Sequence, residues 1–118
     1  MAHELKSEDL GQFTGTENWY RHAINRNLTY TDGVRFVAEH GGAYWLIDEI
    51  ALAQSRKEVR AEEFQHWTLK VANHTAVLSC GDGNGNTVYS QAISFTDFPL
   101  PSVSFYYTDG VLMLPNEY

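Results

Sequence analysis

The hydrophobic pattern of this chain changes its period about half-way along, and this change constrains the fold more than any other feature. Up to about residue 56 the apolar residues recur at helical spacing, whereas from about residue 64 apolar and polar residues alternate. The charged stretch 54–63 between the two patterns is too short to separate two domains. We therefore expect one α+β domain over residues 1–118, with a helical half at about 7–60 and a sheet half at about 64–115.

The first helices of the helical half are expected to be short. Ser7 is followed by two acidic residues, which is the order typical of a helix start, and glycines follow soon after. Residues 16–24 then predict one or two further helical turns. In that helix the aromatic residues would face the core and His22 would lie in solvent.

Two longer helices should follow. Thr31 before Asp32 has the chemistry of a helix N-cap, and the glycines at 41–42 are a stop signal. The strongest helical pattern runs from about residue 43 to residue 56. It places Asp48 and its neighbour in water.

The second half predicts four or five antiparallel strands. Residues 67, 69 and 71 would face the core, and the residues between them would face the other way. The glycine- and asparagine-rich stretch 81–86 predicts a turn, and residues 108–110 predict a tight hairpin. The outward positions are polar: Thr68, Lys70, Ser79, Ser90, Ser94, Ser102 and Ser104. We therefore expect N-terminal helices packed on one face of a four- to five-stranded antiparallel sheet.

The net charge of the chain limits the classes of partner that we expect it to bind. Fifteen acidic residues against eight basic ones give a formal net charge of −7. Direct binding to nucleic acid or to anionic lipid needs an excess of Lys and Arg, so we expect neither. A partner with a basic surface is compatible with this charge. Cys80 is the single cysteine and cannot form an internal disulfide, and no long apolar run predicts a leader or a membrane span. These features favour a cytoplasmic protein.

No motif in the sequence predicts a catalytic residue, a metal site or a cofactor. Residues 82–86 resemble the start of a calcium loop, but Thr87 and Ile93 occupy the positions that need Gly and Glu. The histidines lack the spacing of a zinc site; they are His3, His22, His40, His66 and His74. Cys80 falls on the core-facing side of its strand, which predicts a buried structural thiol.

The candidate binding residues are acidic and aromatic. Adjacent carboxylates on a helix point about 100° apart, so neither acidic pair converges on one substrate. They could instead form an acidic recognition surface for Arg or Lys of a partner. That surface would combine the four acids with two exposed aromatic anchors: Trp45, Asp48, Glu49, Glu62, Glu63 and Tyr106.

Five segments of the chain together resemble a known family. They are residues 30–34, 43–50, 82–86, 95–100 and 114–118. The set is similar to a family of small bacterial and mobile-element proteins known only as a domain of unknown function, over about residues 13–118. The resemblance implies a setting in which phages and plasmids carry small acidic proteins that block host defence systems.

These observations favour a non-enzymatic binding protein. In its sharpest form it is an inhibitor of a bacterial defence nuclease, such as an anti-CRISPR protein, that covers the basic nucleic-acid channel of a CRISPR–Cas effector. One alternative is a small hydrolase with a helix–sheet pocket, where a carboxylate would meet a histidine from a distant segment. Another is a homo-oligomeric structural protein, for example a homodimer, that pairs through an exposed sheet edge or through Trp45.

Overall fold

A computed structural model describes residues 5–118, which form seven strands and a small set of helices. The strands are β1 (Trp19–Arg21), β2 (Thr29–Thr31), β3 (Phe64–Ala72), β4 (Thr75–Gly81), β5 (Thr87–Ile93), β6 (Ser102–Thr108) and β7 (Val111–Met113). The α-helices are α1 (Asp32–Gly41), α2 (Tyr44–Ala53) and α3 (Lys57–Arg60), and 3₁₀ helices span Ser7–Gln12 and Pro115–Glu117.

All seven strands join in one mixed sheet. Their order is β1-β2-β7-β6-β3-β4-β5, and each neighbouring pair is antiparallel except β2 and β7, which are parallel. The expectation of a four- to five-stranded antiparallel sheet under a helical N-terminal half is therefore wrong. β1 and β2 come from the half that was expected to be helical, and strands of three residues are too short to show an alternating pattern.

The prediction of a second helix is wrong. Residues 16–24 contain β1 instead, and His22 is buried, with only 5% of its surface exposed. Tyr20 pairs with Tyr30 of β2 in a short antiparallel ladder. β2 in turn pairs with β7, which lies some 80 residues later in the chain, so no local signal in the sequence could indicate this pairing.

α1 begins and ends where its capping residues predict. The side-chain oxygen of Thr31 accepts a hydrogen bond from the backbone amide of Val34 at 3.3 Å. Gly42 adopts a left-handed conformation with φ of 61°, and its amide donates to the carbonyl of Ala38. The glycine is favoured here because a side chain at this φ would be strained.

The helices lie against one face of the sheet, and the core is between them. The inward positions of the central strands are buried as the alternation predicts, with Trp67 fully enclosed and Leu69, Leu78 and Cys80 beside it. The charged stretch 54–63 contains α3, whose Val59 is also buried in this core. Within residues 5–118, no helix has the length and apolar character needed to cross a membrane.

Candidate functional site

The side of α2 that faces away from the core carries aromatic, acidic and aliphatic side chains together. α2 buries Leu46, Ile47, Ile50, Ala51 and Ala53 against the core. Its other side presents Tyr44, Trp45, Asp48, Glu49 and Leu52, and we call these five residues the α2 face. Two of the predicted carboxylates and one of the predicted aromatic anchors therefore lie side by side on one helix.

The most exposed residues of the α2 face form a single row. Tyr44, Asp48 and Leu52 are spaced four residues apart, so their side chains follow one another along the helix. Tyr44 is 43% exposed and Leu52 is 51% exposed, and the Asp48 side chain between them is 61% exposed. Trp45 and Glu49 lie beside this row and are half-buried, and the indole of Trp45 packs against the core.

The Asp48 carboxylate is held in place by a histidine from another segment. Nε2 of His22 lies 2.8 Å from Oδ1 of Asp48. Nδ1 of the same ring accepts hydrogen bonds from the backbone amides of Ile24 and Asn25, at 3.2 and 3.0 Å. Because Nδ1 is an acceptor, the ring proton is assigned to Nε2, and this N–H donates to the carboxylate. Asn25 further donates its side-chain amide to the Ala51 carbonyl at the end of α2.

This contact has the residue types of an acid–base pair but not the geometry of one. A catalytic histidine needs one ring nitrogen free to take a proton from a substrate or from water. Both ring nitrogens of His22 are already used, one by backbone amides and one by Asp48. The pair therefore positions the Asp48 carboxylate at the surface. This role of His22 does not follow from the sequence, because the helix predicted over residues 16–24 places His22 in solvent.

The tyrosine at the start of the α2 face borders a cluster of tyrosines around an arginine. The guanidinium of Arg35, on α1, lies 4.7 Å from the ring centre of Tyr20. Hydrogen bonding by Tyr20, and next by Tyr44, raises the pKa of Arg35. The rings of Tyr20 and Tyr30 pack at a tilt of 32° with their centres 5.6 Å apart, and burial raises the pKa of Tyr30. The first turn of α2 is thus joined to α1 and to the β1–β2 hairpin.

Glu62 and Glu63 lie in a groove at the other end of α2. This groove has a volume of about 650 Å³, and its charged lining residues are Arg60, Glu62, Glu63 and Asp109. The guanidinium of Arg60 donates to the Ser55 carbonyl at 2.6 Å. Leu52 of the α2 face forms part of the same lining. The second acidic pair therefore adjoins the α2 face at Leu52 only.

Glu49 lines a different groove, of about 990 Å³, between α2, α3 and β5. Arg56, Lys57 and Glu58 supply the other charges of this groove. The guanidinium of Arg56 lies 5.1 Å from the ring centre of Tyr89 on β5. The four predicted acids are thus divided: Asp48 and Glu49 share the α2 face, while Glu62 and Glu63 share the neighbouring groove.

Tyr106, the second predicted anchor, lies on the face of the sheet that the helices leave open. Its ring is half-buried by three neighbours, with centres 4.9 Å from Phe64, 5.2 Å from His66 and 5.5 Å from Tyr118. The outer face is thus aromatic around Tyr106, although the outward positions predicted from the alternation are polar. Tyr106 and the α2 face therefore lie on opposite sides of the sheet, and the role of Tyr106 in binding stays a prediction.

The stretch that resembles a calcium loop, residues 82–86, forms a turn in which the carboxylate is bound by groups of the turn itself. Asp82 accepts hydrogen bonds from the amides of Asn84 and Asn86 and from the Asn86 side chain. These bonds, that of the Asn86 side chain first, lower the pKa of Asp82. Across residues 5–118, no cluster of three His, Cys, Asp or Glu side chains could hold a metal ion. His3 lies outside the described residues.

Comparison with known proteins identifies the family but assigns no activity. The sequence model described as "Family of unknown function (DUF6876)" matches residues 4–118. The chain belongs to this family. The match covers the α2 face, both grooves and the open face of the sheet, so every candidate surface of this DUF6876 protein lies within the family's domain. A search of curated proteins and a search of solved structures both returned no match.

Proposed function

We propose that this DUF6876 protein acts by binding another protein through its α2 face, and that the partner presents Lys or Arg side chains there. The observation that carries the proposal is the hydrogen bond from His22 to Asp48. It fixes one carboxylate in the middle of an exposed row that ends in an aromatic side chain, Tyr44, and an aliphatic one, Leu52.

A carboxylate that is already oriented loses little side-chain entropy when it binds a cation. Charge-assisted hydrogen bonds to such a group are worth roughly 1.5–3 kcal/mol each. Tyr44 and Trp45 supply the aromatic area that is typical of interface hot spots, and Leu52 adds apolar surface beside it. The α2 face thus combines a charged centre with an apolar surround, which is the composition that a protein interface needs.

In its specific form, we propose that the partner is a bacterial defence nuclease and that this protein is an inhibitor of the anti-CRISPR kind. Nucleic-acid-handling enzymes expose basic channels for phosphate groups, and a compact acidic protein can occupy such a channel. The distribution of charge supports an approach by the helical side: within residues 5–118, none of the seven strands contains Asp or Glu. The excess negative charge therefore belongs to the helices and loops.

The test is a competition experiment with purified, guide-loaded CRISPR effectors and fluorescently labelled target DNA. The wild-type protein should lower DNA binding by at least one effector in a dose-dependent way. Asp48→Asn with Glu49→Gln should weaken this inhibition about tenfold or more, because each lost charge-assisted bond is worth at least 1 kcal/mol. Asparagine retains a carbonyl oxygen for the His22 N–H, so this variant should stay folded.

A charge-reversed pair and a matched control separate local contact from net charge. Asp48→Lys with Glu49→Lys changes the net charge by the same amount as Glu8→Lys with Glu17→Lys, and both control positions are exposed and lie outside α2. Only the first pair should abolish inhibition. Equal loss in both pairs would reject the α2 face, and failure of the wild type to inhibit any effector in the panel would reject the inhibitor proposal.

A further inference from the structure

The two edges of the sheet differ in how they are protected against pairing. An edge strand presents unpaired backbone N–H and C=O groups, and proteins protect such edges with short strands, charged side chains or proline. β1 forms one edge with only three residues, one of which is Arg21. β5 forms the other edge with seven residues and carries neither a charged side chain nor proline. β5 therefore lacks these three protective features, and the helix that packs beside it is α3, with Arg56 over the ring of Tyr89.

The backbone of β5 is regular enough to accept another strand. Residues 89–93 pair with β4 in unbroken register, and the β-bulge between Cys80 and Gly81 disturbs only the far end. In an antiparallel ladder, alternate residues point their N–H and C=O groups toward opposite sides. Within residues 5–118, the backbone groups of this stretch form no hydrogen bond with the backbone of a turn, loop or helix cap. The outward groups of residues 89–93 are thus available to a new strand.

The groove beside this edge is electrically balanced, unlike the chain as a whole. The groove of about 990 Å³ is lined by Glu49, Glu58, Arg56 and Lys57, together with the central residues of β5. Two acids and two bases allow the groove to face its own copy with opposite charges paired. A chain with a formal charge of −7 would otherwise repel a second copy. The charge pattern therefore favours self-association at this edge.

We propose that β5 pairs with β5 of a second copy of this chain, in an antiparallel manner about a two-fold axis, to form a homodimer with one continuous sheet. The interface is isologous, so each copy supplies the same strand and the same balanced groove. This inference does not depend on the proposed function, because the α2 face contributes only Glu49 and Leu52 to this groove and the Asp48 carboxylate does not line it.

The test is sedimentation over a range of concentrations, combined with amide hydrogen exchange. The wild-type chain should convert from monomer to dimer as concentration rises. Alternate amides between residues 89 and 93 should exchange more slowly in the dimer, because only the outward amides gain partners. Ser90→Lys with Ala92→Lys places like charges at the interface and should raise the dimer Kd about tenfold. Both side chains are exposed, so folding should be unaffected.

The control places the same two charges on strands that are not at an edge. Thr75 of β4 and Ser104 of β6 lie opposite Ala72 and Thr68 of β3, away from any charged partner, and Thr75→Lys with Ser104→Lys should leave the dimer intact. Loss of the dimer in this control but not in the β5 variant would assign the interface to the open sheet face and overturn the proposal. If the chain stays monomeric at every concentration, β5 does not pair with a second copy, and only a strand of a different protein could bind this edge. That result also overturns the proposal.

Discussion

The carboxylate of Glu117 accepts a hydrogen bond from the backbone amide of Gly33 at 3.2 Å, although 84 residues separate the two in the chain. The same carboxylate accepts from the Thr31 hydroxyl at 2.6 Å and from the Leu114 amide at 2.9 Å. Gly33 lies in the first turn of α1, where backbone amides lack partners within the helix. The last segment of the chain thus supplies the negative group that the start of α1 favours.

Removal of this carboxylate should destabilise the fold. Glu117→Ala leaves three donors without their acceptor and should lower the free energy of unfolding by about 1–3 kcal/mol. Glu117→Gln keeps one carbonyl oxygen and should lose less. Urea unfolding monitored by tryptophan fluorescence measures both. Glu8→Ala, at an exposed acidic position, should stay within about 0.5 kcal/mol of wild type. An equally small effect of Glu117→Ala would show that the three bonds contribute no stability.

A side chain at Gly33 should interfere with the same contact. A Cβ atom at this position would lie 2.5 Å from Oε1 of Glu117 and 2.7 Å from a methyl carbon of Leu114. Gly33→Ala should therefore cost about 1–3 kcal/mol, since the neighbouring groups must move. Gly11→Ala is the matched control, because a Cβ there meets no atom within 4 Å. Thermal unfolding of the two variants should differ clearly, and similar midpoints would contradict the close approach.

The acid stability of the fold should depend on Asp32. Hydrogen bonding, that of the Tyr20 hydroxyl first, lowers the pKa of Asp32 to about 2 from 3.8. The folded state therefore binds this proton less readily than the unfolded chain. Its stabilising contribution is complete above about pH 4 and is lost as the pH falls toward about 2. Free energies of unfolding at several pH values should show the difference between wild type and Asp32→Asn shrinking over this interval. A difference that does not change with pH would contradict the prediction.

The parts of the fold that sequence reasoning predicted are those encoded by neighbouring residues. α1 was predicted from Thr31 and the glycines at 41–42, because a cap and a stop act within one turn of the helix. The hairpin between β6 and β7 follows from residues 108–110, where Asp109 and Gly110 both adopt positive φ. The sheet edge formed by β1 and β2 has no such local signal. Its partner strand is β7, and three alternating residues do not distinguish a strand from a helical turn.

The residues of the candidate site likewise fall into those that a local pattern predicts and those that depend on distant contacts. Asp48 and Glu49 were placed on the outer side of a helix by periodicity alone, and the structure puts them there. The histidine that orients Asp48 comes from a loop 26 residues earlier. Its burial depends on the turn at residues 22–25, whose amides bind the ring. Helical periodicity can thus predict which residues share a face, but not which distant side chain will hold one of them.

The thiol of Cys80 should be unreactive while the protein is folded. Burial raises the pKa of its thiol from 9.0 to about 12, and the nearby Glu62 adds to the effect. Since the thiolate is the reactive form, its fraction at pH 8 should be roughly a thousandfold lower than in the unfolded chain. Reaction with a disulfide reagent should accordingly be slow in buffer and fast in denaturant. Ser102→Cys in a Cys80→Ala background places a thiol at an exposed position away from the β5 edge and should react quickly in both conditions. Rapid labelling of native Cys80 would mean that the sheet opens readily at β4.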